Sequence, residues 1–208
     1  MSANLILIIA IVGISLYAWR QPNLYSKMLM HPYSIKNRNE FGRFITSGLI
    51  HKDYGHLFFN MFTLYFFGGV VESIFGAVMG SAQLGSILYI VLFFAGVVIS
   101  DLPTYFKHQN DPGYSALGAS GGVSSVLFAS ILYNPIEGVC LWAILCIPGF
   151  LFGALYLIYS YYENKRNVGR VNHSAHFYGA IFGVVFGIAI RPAVVPYFID
   201  QISNWSLF

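Results

Sequence analysis

The sequence predicts an all-α polytopic membrane protein, folded as one bundle of six transmembrane helices. Three observations carry this: scarcity of charge, repeated uncharged stretches of spanning length, and connections too short to hold a soluble domain. Of 208 residues, 57% are hydrophobic and 9% charged, against roughly 25% charged in soluble domains. Uncharged stretches run over 1–19, 73–100, 112–136, 138–162 and 171–190, each close to or above the ~20 residues that cross hydrocarbon as a helix. A further span near 54–75 is interrupted only by His56, Asn60 and Glu72.

Residues 1–208 therefore read as a single membrane domain. The first helix, about 3–19, lacks a basic leading region, and Tyr17-Ala18-Trp19 is a poor signal-peptide cleavage site, so it is expected to be retained. Residues 20–50 carry Pro22, Pro32 and five positive charges, too polar to span and too apolar for a free linker, which suits an interfacial segment. Helices follow over about 54–75 and 81–100. Asp101 to Gly113, with two prolines, reads as a loop. A fourth helix over 114–133 ends at Asn134-Pro135, a fifth covers 138–161, and a short polar loop over 163–170 leads to the last, 173–190. A short tail, 191–208, completes the chain. Cys140 and Cys146 lie six apart in the fifth helix, about 120° from a shared face, and are expected to be packing residues. No internal repeat supports an inverted-repeat transporter.

Polar groups at bilayer depth are costly, so those that remain there carry information. His56 and Asn60 stand at i and i+4 on one helix face. Gly118-Ala119-Ser120-Gly121-Gly122 lies within an uncharged stretch, where glycines admit a neighbouring backbone and leave the Ser120 hydroxyl uncrowded. The string also matches a nucleophile elbow, but that motif needs a strand before the serine, and helix is expected here. At the start of the last helix, His176 lies beside a small-residue stripe of Ala175, Gly179, Gly183 and Gly187. If that stripe packs on the Ser120 helix, imidazole and hydroxyl form a base and nucleophile pair. Asn60, His56 and the Ser120 amide are candidate oxyanion donors. With Asp101 and Asp111 assigned to a loop and Glu72 near a helix end, a dyad is expected rather than a triad.

Taken in order, these motifs resemble the rhomboid family of intramembrane serine proteases, of the bacterial six-helix type. Glu40-Phe-Gly-Arg43-Phe-Ile-Thr46 resembles the segment before the family's second helix. His51, His56 and Asn60 resemble its oxyanion motif, Gly68-Gly69-x2-Glu72 its continuation, Gly118-Ala-Ser120-Gly121 its nucleophile motif, and Ala175-His176-x2-Gly179 its base motif. The resemblance implies a serine endopeptidase that cleaves transmembrane protein substrates through Ser120 and His176, with His56, Asn60 and the Ser120 amide holding the oxyanion. It also implies the bacterial inner membrane as the compartment. Two positions depart from the pattern. Gly42-Arg43 stands where many members have Trp-Arg, and Ser124 stands where many have the tyrosine that stacks on the base, leaving Tyr178 or Phe128 as substitutes.

With six spans, ten of the eleven positive residues fall on the side reached after helices one, three and five, and Arg191 alone on the other. The positive-inside rule places that first side in the cytoplasm. The family orientation is the reverse, and is adopted here because an interfacial segment can carry cations for docking. By analogy, substrate enters sideways near Trp142, Phe150 and Phe152. No cofactor, metal or nucleic-acid partner is implied: the H-E-x-x-H pattern is absent, and His51 and His56 do not share a helix face. The sequence leaves the oligomeric state open. The competing reading is a noncatalytic rhomboid-like binder of membrane clients; a histidine-lined transporter would need paired ionisable groups along a path.

Overall fold

The computed structural model describes residues 1–141, 145–166 and 172–206. Helix α1, Ala3–Trp19, opens where Ser2 accepts the Leu5 N–H at 3.3 Å. The interfacial segment contains three short helices, α2 Pro22–Met28, α3 Pro32–Arg38 and α4 Arg43–Thr46. Two of them start with proline, whose fixed φ and missing N–H suit a first turn. Arg43 ties this segment together, donating to the carbonyls of Ser26 and Leu29 at 2.9 Å each.

Helix α5, Tyr54–Met79, is capped by Asp53, which accepts the His56 N–H at 2.8 Å, and ends at Gly80 in the left-handed region, φ 63°. Glycine adopts that conformation without the Cβ penalty. Helix α6, Ala82–His108, follows at once and packs back on α5. It continues through Pro103, where a loop is expected from sequence. Met30, Ile35 and Phe44 of the interfacial segment pack on Val98, Leu102 and Tyr105, so tertiary burial outweighs the lost backbone hydrogen bond. Asp101, expected in that loop, is a buried residue of α6.

Helix α7 is Ser120–Tyr133, six residues shorter at its start than the helix expected over 114–133. Ala116 is in extended pairing with Met30, and Gly118 has φ 119°, a conformation open to glycine and not to a helix. Residues 121–133 are all buried, with α5, α6 and α9 (His173–Ile190) packed around them.

The segment expected to be a helix over 138–161 divides in two. Strands β1, Gly138–Leu141, and β2, Leu145–Pro148, pair antiparallel, and only then does α8, Gly149–Arg166, begin. Pro148 drives the residue before it out of helical space. Cys140 faces Cys146 across this hairpin and the two form a disulfide. They are therefore not independent packing residues: strand pairing brings together side chains that a helix would have separated. The tail contains one more helix, α10, Val194–Ser203.

Among the described residues, three helices, α5, α6 and α9, are long and apolar enough to cross a membrane, and α1 and α7 are shorter apolar helices. Many large apolar side chains point outward, including Phe58, Phe62 and Tyr65 of α5, as expected where the solvent is lipid.

Candidate active site

Backbone contact between α7 and α9 organises the site. A methyl group built on Gly179 would meet the Gly121 backbone, one on Gly183 would come within 2.8 Å of Ser125 Cα, and one on Gly187 within 2.7 Å of Leu132 Cδ2. Position numbers rise together on both helices, so α7 and α9 run parallel. The Ser125 hydroxyl lies between them, within 2.9 Å of the Gly121 carbonyl and 2.8 Å of the Gly179 carbonyl. Tyr133 donates to the Gly187 carbonyl at 2.9 Å farther along. The small residues of α9 thus meet the Ser120 helix, the packing that the sequence makes conditional.

His176 precedes Gly179 by three residues, less than one turn, which puts it near the start of α7, level with Gly118 just ahead of Ser120. No hydrogen bond joins the two among the described residues. Ala119 offers no side-chain cap to α7, so the first amides of this helix are left for other acceptors. The start of α9 is itself fixed: Asn172 accepts the Ala175 N–H at 3.2 Å and donates to Thr104 Oγ1 of α6 at 3.1 Å.

His56 lies against the loop before Ser120. A methyl on Gly118 would sit 2.5 Å from His56 Cε1 and 2.8 Å from Nε2, so glycine is required there for contact as well as for φ. The Gly118 amide donates to the Ser47 carbonyl at 2.9 Å. Met30 and Ala116 exchange two backbone hydrogen bonds of 3.0 and 2.9 Å, so the interfacial segment holds this loop in place. Asn60 is buried, and one of its two amide hydrogens goes to the His56 carbonyl of its own helix at 2.9 Å. A cavity of about 790 Å³ opens beside these groups, lined by Lys52, His56, Leu117, Asn172 and His173 among others.

Tyr156 of α8 supports His176, a role that sequence reasoning did not assign to it. The two rings are near-parallel, 13° apart, with centroids separated by 6.2 Å. The Tyr156 hydroxyl is 2.9 Å from the Ser124 hydroxyl, so the serine at the variant position and a tyrosine from another helix act together. Neither expected substitute stacks on His176 among the described residues: Tyr178 is exposed, and Phe128 packs on Tyr156 with centroids 5.5 Å apart. No periodicity marks Tyr156 out among the neighbouring aromatics of α8. Of the residues expected at a lateral entrance, Phe152 packs on Tyr156 and Phe150 on Trp205; Trp142 lies outside the described residues, as do 167–170 of the loop before α9.

A family model described as the Rhomboid domain matches residues 38–193. The chain belongs to the rhomboid family. A relative of this rhomboid protein is RHOMBOID-like protein 12, mitochondrial, of Arabidopsis thaliana, 28% identical over 196 residues. The alignment covers 89% of this chain and 57% of that relative, so the chain spans little more than half the relative's length. The relative's name places it in mitochondria and lends no support to a bacterial inner membrane as the compartment of this rhomboid. A membrane protein with several apolar helices stands. Helix α1 lies ahead of the matched residues, yet Asn4 donates to the Leu64 carbonyl at 3.0 Å, and Glu72 accepts the Ala3 and Asn4 amides at 2.9 and 3.0 Å.

Proposed function

We propose that this rhomboid protein is an intramembrane serine endopeptidase that cleaves membrane-protein substrates near their transmembrane segments, with α1, α5, α6, α7, α8 and α9 as its six spans. The single observation that carries this reading is the close, glycine-mediated packing of α7, which begins at Ser120, on α9, which carries His176. Ser120 is the nucleophile. His176 takes its proton as Ser120 Oγ attacks the scissile carbonyl, and returns it to the leaving amine as the acyl-enzyme forms. Water then enters from the cavity, is deprotonated by His176 and releases the acyl group. The Ser120 amide, at the uncapped and electropositive start of α7, is one oxyanion donor. His56 Nε2 and the second Asn60 amide hydrogen are the others. Tyr156 and Ser124 limit the tilt of the base. The remaining reading, a noncatalytic binder of membrane clients, shares the fold and differs in chemistry.

The test is incubation of the full chain in detergent micelles with a fluorophosphonate probe, followed by mapping of the labelled residue. Ser120 is expected to carry the label, and Ser120→Ala and His176→Ala to abolish labelling. Label that persists in the Ser120→Ala protein overturns the assignment. Absence of label on the folded wild-type chain favours the binder.

A further inference from the structure

We propose that Ser15 of α1 and His51 form a positioning pair for His56, so that a helix ahead of the matched family domain helps to shape the oxyanion side of the site. This rests on the protease reading for its activity readout only. His51, just before α5, is fully buried, with 0% of its surface exposed. Its backbone is held by Trp19, which donates to the His51 carbonyl at 2.7 Å. Its ring is held by Ser15, four residues before Trp19 and so on the same face of α1.

The hydrogen-bond pattern assigns the His51 tautomer. Ser15 Oγ is 3.1 Å from the Leu49 carbonyl and 3.0 Å from His51 Nδ1. The carbonyl can only accept, and the hydroxyl has one hydrogen to give. With that hydrogen on Leu49, His51 donates Nδ1–H to Ser15 and all three groups are satisfied. The opposite tautomer would take the hydroxyl hydrogen from Leu49 and also bury an Nε2–H, and Nε2 has no hydrogen-bond partner. A buried donor without an acceptor costs on the order of 1–3 kcal/mol. His51 therefore presents an acceptor lone pair at Nε2. Its ring meets that of His56 edge-on, with centroids 5.0 Å apart and planes at 72°.

The Cε1–Nε2 edge of His56 lies on Gly118, with Nδ1 farther off: a methyl at Gly118 would be 2.8 Å from Nε2 and 3.7 Å from Nδ1. The His56 ring thus touches both His51 and the backbone leading to Ser120, with its Cε1–Nε2 edge nearest Gly118. Burial also pushes the His51 pKa down to about 3, which keeps this ring neutral and its acceptor in place at neutral pH.

The experiment uses the full chain in micelles with 15N-labelled histidine, recorded alongside the fluorophosphonate labelling rate and the thermal midpoint. Wild-type His51 is expected to show a protonated Nδ1 and an unprotonated Nε2. Ser15→Ala is expected to shift the His56 ring-nitrogen resonances and slow labelling about tenfold, the scale of a small misplacement of a catalytic group. A protonated Nε2 on wild-type His51 overturns the proposal, as do His56 resonances left unmoved by Ser15→Ala. A wild-type chain that takes no label sinks the protease reading, while the nitrogen spectra still decide the positioning pair.

Discussion

The helix that carries His176 and the helix that supplies Tyr156 are attached to the molecule in different ways. Helix α9, which carries His176, meets the backbone of α7 at Gly179 and Gly183 and the Leu132 side chain at Gly187, with the small Ser125 hydroxyl bridging the two helices. Helix α8, which supplies Tyr156, reaches the site through side chains, by one hydroxyl pair and ring packing on Phe128, and is reached through a disulfide-closed hairpin. Backbone contact between glycines leaves little room for adjustment, whereas long side chains can settle in more than one rotamer. The helix that carries His176 is therefore fixed rigidly, while the ring beside it belongs to a more adaptable partner.

That contrast can be broken or sharpened by substitution. The largest effect belongs to Gly179→Ala, whose new methyl meets the Gly121 backbone. It is expected to destabilise the protein by roughly 1–3 kcal/mol and to reduce fluorophosphonate labelling with it; an unchanged thermal midpoint would show that the α7 and α9 contact is not tight. Next comes Tyr156→Leu, which removes the ring stacked on His176. Labelling should fall roughly tenfold or more, and a rate equal to wild type would deny Tyr156 its supporting role. Ser124→Ala and Tyr156→Phe each break only the hydroxyl pair, at a cost of about 1 kcal/mol, and should lower the rate less than Tyr156→Leu does. Smallest for activity is Cys140→Ser with Cys146→Ser. Both residues follow the end of α7 opposite Ser120, so labelling should stay within about twofold, while stability falls by up to about 2 kcal/mol for so short a loop.

A pH experiment probes the interface of α1 with the site. His51 has a folded pKa of about 3, below its ordinary 6.5, because burial disfavours the charged ring. The unfolded chain binds that proton first as pH falls. Its contribution to stability is therefore intact above pH 6.5 and is lost progressively between 6.5 and about 3. His51→Gln should flatten the acid-unfolding profile in that window. An unchanged profile would place the acid sensitivity elsewhere.

Much of this was legible in the residues. His56 and Asn60 at helical spacing, Ser120 among glycines, and the four-residue stripe through Gly179 announce shared faces and close approach, because helical geometry converts spacing directly into direction. Cys140 and Cys146 misled for the same reason: a hydrophobic run of spanning length reads as helix, whereas the two are joined by strand pairing that ends at Pro148. Pro103 misled in the other direction, since its local preference yields to burial against Met30, Ile35 and Phe44. Asp101, assigned to a loop on that basis, is inside α6.

Sequence alone determined the membrane class, the family motifs and the small-residue face of α9, because each is a property of composition or of spacing along one element. Only the tertiary structure decided which residues from separate elements meet: Tyr156 on His176, Ser15 on His51, Cys140 on Cys146 and Met30 beside Ala116. The physical reason is that these contacts join residues whose sequence positions carry no periodic relation, and their partners are selected by how whole helices and loops pack.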